Sequence, residues 1–111
     1  MRDHHSETLV DNAGTGSTRS AMTERYDLIP PIGMRRLARR YALGAEKHGP
    51  RDWERGQRAW DVFNHMCKHM QDYLAGDRSD DHMAAVAWGA FALMHLAETV
   101  PDMFDDFPGG V

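Results

Sequence analysis

The stretch between residues 83 and 97 limits the fold more than any other part of the sequence, because nearly every side chain in it is apolar. It follows candidate caps at Ser79 and Asp80 and stops before Pro101, which predicts a helix from about Asp81 to Thr99. A helix that is apolar on every side is buried on every side. The two shorter helices predicted upstream cannot easily cover it, so we expect a partner subunit to do so. A central helix in a monomer is the alternative.

Two further helices are predicted before this one. Apolar residues recur at helical spacing from Met34 to Ala45, after Pro31 and before the stop at Gly49-Pro50, which predicts a helix from about Pro31 to residues 46–48. A second apolar arc predicts a helix over 59–74, ended by Gly76. No segment alternates convincingly as a strand. We therefore expect an all-α fold, a small bundle of about three main helices that oligomerises through the last.

Composition changes along the chain and divides it into three parts. Residues 1–24 are rich in Gly, Ser, Thr, His and Asp, which is typical of a flexible arm. Residues 25–100 hold the predicted helices and form the domain. Residues 101–111 carry three aspartates and form an acidic tail.

The remaining bulk features favour a cytoplasmic protein with a small anionic ligand. The 111 residues contain no apolar run of membrane-spanning length, no apolar core of a signal peptide, and a single cysteine, Cys67. The net charge is −4, but arginine and lysine crowd between residues 35 and 58. That cluster suits one phosphate group at a time and is too small to predict duplex DNA binding. Its members are Arg35, Arg36, Arg39, Arg40, Lys47, Arg51, Arg55 and Arg58.

The loop after the first predicted helix is the first candidate site. Lys47, Arg51 and Arg55 can donate to phosphate, and Arg does so with a planar fork. Trp53 offers a flat apolar surface for a base or sugar. The alternative is that Trp53 packs in the core while the charges are solvated.

Two clusters could hold a metal ion or move a proton. His65, His69 and Asp72 lie at i, i+4 and i+7 on one side of a helix. A second cluster, Asp77 to His82, could hold Mg²⁺ together with a nucleotide phosphate. The alternatives are polar residues beside an apolar stripe and a capped loop.

Several motifs follow one another within residues 25–98: Asp27-Leu28-Ile29-Pro30, Gly44-Ala45-Glu46-Lys47-His48-Gly49-Pro50-Arg51-Asp52-Trp53, Lys68-His69, Gly76, and His82 with Ala87-Trp88. Their order and spacing resemble the dATP/dGTP diphosphohydrolase N-terminal domain family, which is common in bacteriophages and their hosts.

The resemblance implies an all-α domain for purine deoxynucleotide chemistry, located in the host cytoplasm if phage-encoded. Water would attack a phosphoryl group with the help of Mg²⁺ or Mn²⁺, releasing pyrophosphate and a nucleoside monophosphate. The implied ligand-binding residues are Lys47, His48, Arg51, Asp52, Trp53 and Lys68. His69 or His82 would be the general base or acid, and Asp72 or Asp77 would help to place the metal.

Departures from the family pattern leave catalysis open. His48 stands where Tyr is usual, Asp52 where Asn is usual, and Lys68 where Arg is usual; Ala85 and Gly89 replace a frequent His and Asn. The Glu-rich metal motif of the MazG-type pyrophosphatases is absent. Besides a pyrophosphohydrolase, the sequence is compatible with a non-catalytic nucleotide-binding sponge or regulator, or with a helical protein-interaction module.

Overall fold

The computed structural model describes residues 5–111, with side chains from residue 8 onward. The chain divides into two compact units, Met1–Pro30 and Pro31–Val111. Each unit is described by itself.

The first unit contains a β-hairpin where the sequence predicted a flexible arm without strands. Strand β1 (His5–Asp11) pairs antiparallel with β2 (Thr18–Met22), with Val10 opposite Arg19. Left-handed backbone at Ala13, Gly14 and Gly16 turns the chain between them. The expectation of an all-α fold is therefore corrected to a mostly helical protein with a small two-stranded sheet. Residues 1–4 of the predicted arm lie outside the described part.

The second unit contains the three predicted helices: α1 (Pro31–His48), α2 (Ala59–Leu74) and α3 (His82–Thr99). Gly49 and Gly76 follow α1 and α2 with φ of 94° and 93°, which L residues with side chains rarely adopt, so both act as stops. The predicted cap of α3 at Ser79 or Asp80 is wrong. Asp81 is the cap, since its Oδ1 accepts from the Ala84 amide at 3.2 Å.

The core of the second unit lies between α2, α3 and the chain after α3. Ala59, Leu96 and Phe104 are its buried cluster. The helices α2 and α3 pack closely at Gly89, where a Cβ atom would lie 2.7 Å from Met66 Sδ. A side chain there is therefore excluded unless Met66 moves.

The acidic tail takes part in this core. A short 3₁₀ helix, Pro101–Phe104, buries Phe104, and Phe107 packs on Trp60 with ring centroids 4.8 Å apart. The Trp60 indole also donates to the Asp106 carbonyl at 3.0 Å. Asp106 lies 3.6 Å from Arg58, the last member of the basic cluster.

The helix α3 keeps an exposed apolar side within the single chain. Met94 is 60% exposed and Phe91 is 42% exposed, although Ala92 and Leu96 are fully buried. Oligomerisation through this helix stays a prediction. In residues 5–111, no helix is both long enough and apolar enough to cross a membrane.

Candidate functional site

A cavity of about 920 Å³ opens between the end of α1, the loop 49–58 and the facing sides of α2 and α3. Its size falls in the range of small-molecule sites. Its floor includes Ala85 and Gly89 of α3, together with Val62 and Met66 of α2. The small residues at 85 and 89 leave this floor apolar.

The loop 49–58 reaches the cavity through an unusual backbone conformation. Arg51 adopts φ 61° and ψ 18°, which is left-handed and uncommon for a residue with a side chain. A short 3₁₀ helix, Asp52–Arg55, follows at once. Within it, the Arg55 guanidinium donates to Asp52 Oδ1 at 2.7 Å. The loop thus brings Arg51, Asp52 and Trp53 to the cavity wall.

Three aromatic rings form one wall of the cavity. Trp53 lies 6.0 Å from Tyr41 and 5.8 Å from Trp88, measured between ring centroids, and Tyr41 lies 6.2 Å from Trp88. Trp53 also packs against the buried core cluster. The sequence left Trp53 open between core and ligand contact, and the structure places it between the core cluster and the cavity. Burial, together with the Glu54 carboxylate, raises the pKa of the Tyr41 phenol.

Cationic side chains also line the cavity. Arg40, Lys47 and Arg51 contribute to its lining, next to the imidazole of His48. Arg40 is held in place by Asp80, with its Nη1 2.7 Å from Asp80 Oδ1. Such an arrangement can bind an anionic group beside an aromatic surface.

A hydrogen-bonded string of three side chains begins at the cavity. His69 Nδ1 lies 2.9 Å from His82 Nδ1, and His82 Nε2 lies 2.8 Å from Asp77 Oδ2. The backbone amide and side chain of Ser79, and then His82, lower the pKa of Asp77 to about 2. Asp77 is therefore a carboxylate at neutral pH, and the Nε2–H of His82 donates to it.

Burial, and then the positive charge of Arg40, lower the pKa of His69. The neutral imidazole is therefore favoured at neutral pH. Its partner His82 is buried, with 4% of its surface exposed. In the neutral pair, His82 Nδ1 carries a lone pair and His69 Nδ1–H donates to it.

The predicted site residues fall into two groups in the structure. Those that line the cavity are Lys47, His48, Arg51, Asp52, Trp53 and His69. The others lie beside it and do not belong to its lining: Lys68, Asp72, Asp77 and His82. Lys68, predicted to bind phosphate, is largely exposed and pairs with Asp72 at 2.7 Å.

Among the side chains that the structure describes, two sets of donor atoms lie close enough together to hold one ion. Asp72, Asp77 and His82 form one set, and His69, Asp80 and His82 form the other; in each, the donor atoms lie within 4.8 Å of one another. Carboxylate oxygens mixed with imidazole nitrogens fit a divalent metal ion, and Mn²⁺ better than Mg²⁺.

Sequence reasoning missed several residues of the cavity wall. Tyr41 and Trp88 fall on the apolar stripes of their helices, and no ligand role was predicted for either, although Trp88 belongs to one of the family motifs. Gln57 also lines the cavity and carries no motif of its own. An aromatic residue on an apolar stripe gives no local signal that separates a packed ring from one facing a ligand.

Comparison with known proteins gives one family. The family described as "dATP/dGTP diphosphohydrolase, N-terminal" matches residues 13–106, which is most of the chain. No curated protein and no solved structure matches. At a coarse level, the family's description relates the chain to nucleotide hydrolases. The chain belongs to the dATP/dGTP diphosphohydrolase N-terminal family.

Proposed function

We propose that the chain binds a purine deoxynucleoside triphosphate in the cavity and hydrolyses it to the monophosphate and pyrophosphate. The observation that carries this proposal is the meeting of cations, an aromatic wall and His69, the hydrogen-bond partner of His82, around one cavity of small-molecule size. The family description names the nucleotide class.

The cationic side chains that line the cavity would bind the phosphates. Lys47 comes from the end of α1, and Arg51 comes from the loop. Among the described residues, neither forms an ion pair, whereas Arg40 and Arg55 each pair with an aspartate. Arg51 supplies a planar fork and Lys47 a point charge. Together they would neutralise and orient a triphosphate.

The aromatic wall would contact the base or sugar. Trp53 packs against both Tyr41 and Trp88 at centroid distances near 6 Å, so its position is fixed by packing. A ring held this way offers a stacking or edge contact without losing rotamer freedom on binding. The distance between this wall and the cations would orient the nucleotide.

A bound divalent ion supplies charge neutralisation and an acidified water for the hydrolysis. The donors beside the cavity would hold it: Asp72 and Asp77 as the sequence predicts, with His82, or His69 and Asp80 with the same His82. His69 lies where the cavity meets these donors. Its imidazole would take a proton from the attacking water as a general base, or give one to the leaving group as a general acid, as the sequence predicts, or would hold the ion as a ligand.

The test is turnover of a panel of deoxy- and ribonucleoside triphosphates, with and without Mg²⁺ or Mn²⁺, followed by pyrophosphate release and by nucleotide retention. Metal-dependent release from a purine substrate is expected. It should fall by about tenfold or more in Lys47→Ala, because a charge-assisted contact is lost.

Arg39→Ala is the matched control, since it also removes one cation from α1 but lies outside the cavity lining. Equal loss in both variants would mean that the effect is one of net charge, and the cavity assignment would fail. Release without metal would refute the metal-assisted reaction.

A non-catalytic nucleotide binder is the second candidate. It is favoured by the pairing of carboxylates near the cavity with cations: Asp52 with Arg55, Asp72 with Lys68, and Asp80 with Arg40. Each of these cations competes with a metal ion for the carboxylate oxygen that it contacts. Tight retention without pyrophosphate release would identify a sponge, and neither signal would favour an interaction module.

A further inference from the structure

We infer that His69, Asp80 and His82 form a site for one first-row transition-metal dication, such as Mn²⁺ or Co²⁺, in preference to Mg²⁺, with Asp77 orienting His82. This inference deepens the proposed function by naming the ligands and the class of ion. It is tested by metal binding alone, so the two can fail separately.

The two imidazoles face each other through the nitrogens that an ion would use. His69 Nδ1 and His82 Nδ1 lie 2.9 Å apart. Two nitrogens bound to one ion at about 2.1 Å each lie about 3.0 Å apart at an octahedral angle. The pair is therefore already at the spacing of two neighbouring ligands, and an ion would replace the single hydrogen bond between them.

The Asp77 carboxylate fixes which nitrogen of His82 is available. His82 Nε2 donates to Asp77 Oδ2 at 2.8 Å, and His82 is almost fully buried. The lone pair of the neutral ring is then on Nδ1, on the side of His69. A carboxylate behind a ligating histidine is the usual support in metal sites, because it fixes the tautomer and the ring orientation.

Asp80 supplies the third ligand from the segment before α3. Its donor atom lies within 4.8 Å of those of both histidines. Asp80 Oδ1 accepts from Arg40 at 2.7 Å and from the Asp81 amide at 2.7 Å. Because both bonds use Oδ1, coordination by Oδ2 would leave them in place and keep the carboxylate oriented.

The other donor set, Asp72 with Asp77 and His82, is less suited to the ion. Asp77 and His82 Nε2 are already joined by a hydrogen bond, so an ion between them would have to remove that proton. Two nitrogens and one carboxylate favour a transition ion, whereas Mg²⁺ prefers oxygen ligands.

Both His69 and Asp80 also line the cavity. An ion held by them would lie at its edge, where a phosphate could complete the coordination.

The experiment uses the full chain after treatment with a chelator. Mn²⁺ binding is followed by electron paramagnetic resonance and Co²⁺ binding by visible absorption, both without nucleotide. One site is expected, and a tenfold molar excess of Mg²⁺ should leave most of the Mn²⁺ bound. His69→Ala should weaken Mn²⁺ binding by about 100-fold. Asp77→Ala should weaken it by about 10- to 100-fold, and Asp77→Asn, which keeps an acceptor for His82, should restore part of that loss.

Two controls locate the site. His65→Ala removes another cavity histidine one turn earlier on α2, and Asp72→Asn removes a ligand of the competing set; both should bind Mn²⁺ as the wild type does. Circular dichroism checks that each variant is folded.

Unchanged Mn²⁺ affinity in His69→Ala, or loss in Asp72→Asn alone, would overturn the inference. So would equal affinity of the wild type for Mn²⁺ and Mg²⁺. Mn²⁺ binding lost in His69→Ala, in a protein that hydrolyses no nucleotide, would keep the site and reject the proposed hydrolase.

Discussion

At the scale of single residues, Arg51 combines a strained backbone conformation with a place in the cavity lining. Its left-handed conformation follows Gly49, also at positive φ, in the turn that ends α1. For a residue with a Cβ this conformation costs about 1–2 kcal/mol. Strain of this kind persists where the surroundings determine it, and here it brings a guanidinium to the cavity.

Replacing Arg51 separates the effect of its backbone conformation on stability from the effect of its charge on nucleotide binding. Arg51→Gly should be more stable than Arg51→Ala by about 1 kcal/mol in urea unfolding, since glycine adopts this conformation without steric cost. Both variants should bind nucleotide about tenfold more weakly in calorimetry, because both lack the charged fork. Wild-type affinity in either variant would remove Arg51 from the ligand site.

At the scale of secondary-structure elements, two arginines one turn apart on α1 fix the start of α3. Arg36 donates twice to Asp81, at 2.8 and 2.6 Å, and Arg40 donates to Asp80. Asp81 also caps α3. The position of the Asp80 carboxylate beside the cavity therefore depends on a contact between helices that lie far apart in the sequence.

The Asp81 carboxylate should make stability depend on pH. The hydrogen bonds from Arg36 lower the pKa of Asp81 to about 2, from an ordinary value of 3.8. Its contribution is therefore present above about pH 4 and is lost as the pH falls toward 2. Because Arg36 is about half exposed and Asp81 about a third, we expect about 1 kcal/mol or less.

Asp81→Asn tests this, since Asn still caps a helix but carries no charge. The difference in free energy of unfolding between wild type and variant, measured in urea, should shrink from pH 5 to pH 2.5. Asp105→Asn, in the exposed part of the tail, is the control. A difference that stays constant across this range would contradict the assigned role of the ion pair.

The contact between α2 and α3 at Gly89 should not tolerate a larger residue. In Gly89→Ala, the new methyl group would meet Met66. We expect a loss of about 1–3 kcal/mol from overpacking, partly offset by up to about 1 kcal/mol of helix propensity. Adding Met66→Ala should recover part of the loss in a double-mutant cycle of unfolding free energies. Additive effects would show that the two side chains do not meet.

At the scale of the whole molecule, the acidic tail contributes to the core of the second unit. Phe104 is 7% exposed and packs with Ala59 and Leu96, which come from different helices. A segment that looks like a polar appendage in the sequence is thus one of the elements that hold α2 and α3 together.

Phe104→Ala should lower the free energy of unfolding by about 3 kcal/mol or more, as expected for a large buried aromatic residue. Val111→Ala is the control, since Val111 is exposed at the chain end. Chemical denaturation of both variants checks this. A loss below about 1 kcal/mol would mean that the tail adds little to the core.

Self-association remains a prediction at this scale. The exposed apolar side chains of α3, Phe91 and Met94, lie one turn apart and on one side of the helix. If this side contacts a second copy, Met94→Lys should reduce the mass seen by light scattering to that of a monomer. A wild-type protein that is monomeric at micromolar concentration would refute the predicted oligomer.

The sequence by itself determined the helices and the grouping of the loop residues. The periodicity of apolar residues and the stops at Gly49 and Gly76 are local signals, and they set the bounds of α1 and α2 correctly. The residues from Lys47 to Trp53 are contiguous, so their grouping at the cavity could be predicted without knowledge of the fold. The hairpin β1–β2 was missed because each strand is defined by its partner and lacks alternation.

Only the tertiary structure decided which distant residues meet. Asp81, and not Ser79 or Asp80, caps α3, and Arg36 pairs with it from 45 positions away in the sequence. His69 and His82 lie on different helices, and their contact depends on how α2 packs against α3 at Gly89. The physical reason is the range of the interactions. Capping, turns and periodicity act within a few residues, whereas a cavity and its donor set arise from packing, which joins side chains that no local pattern relates.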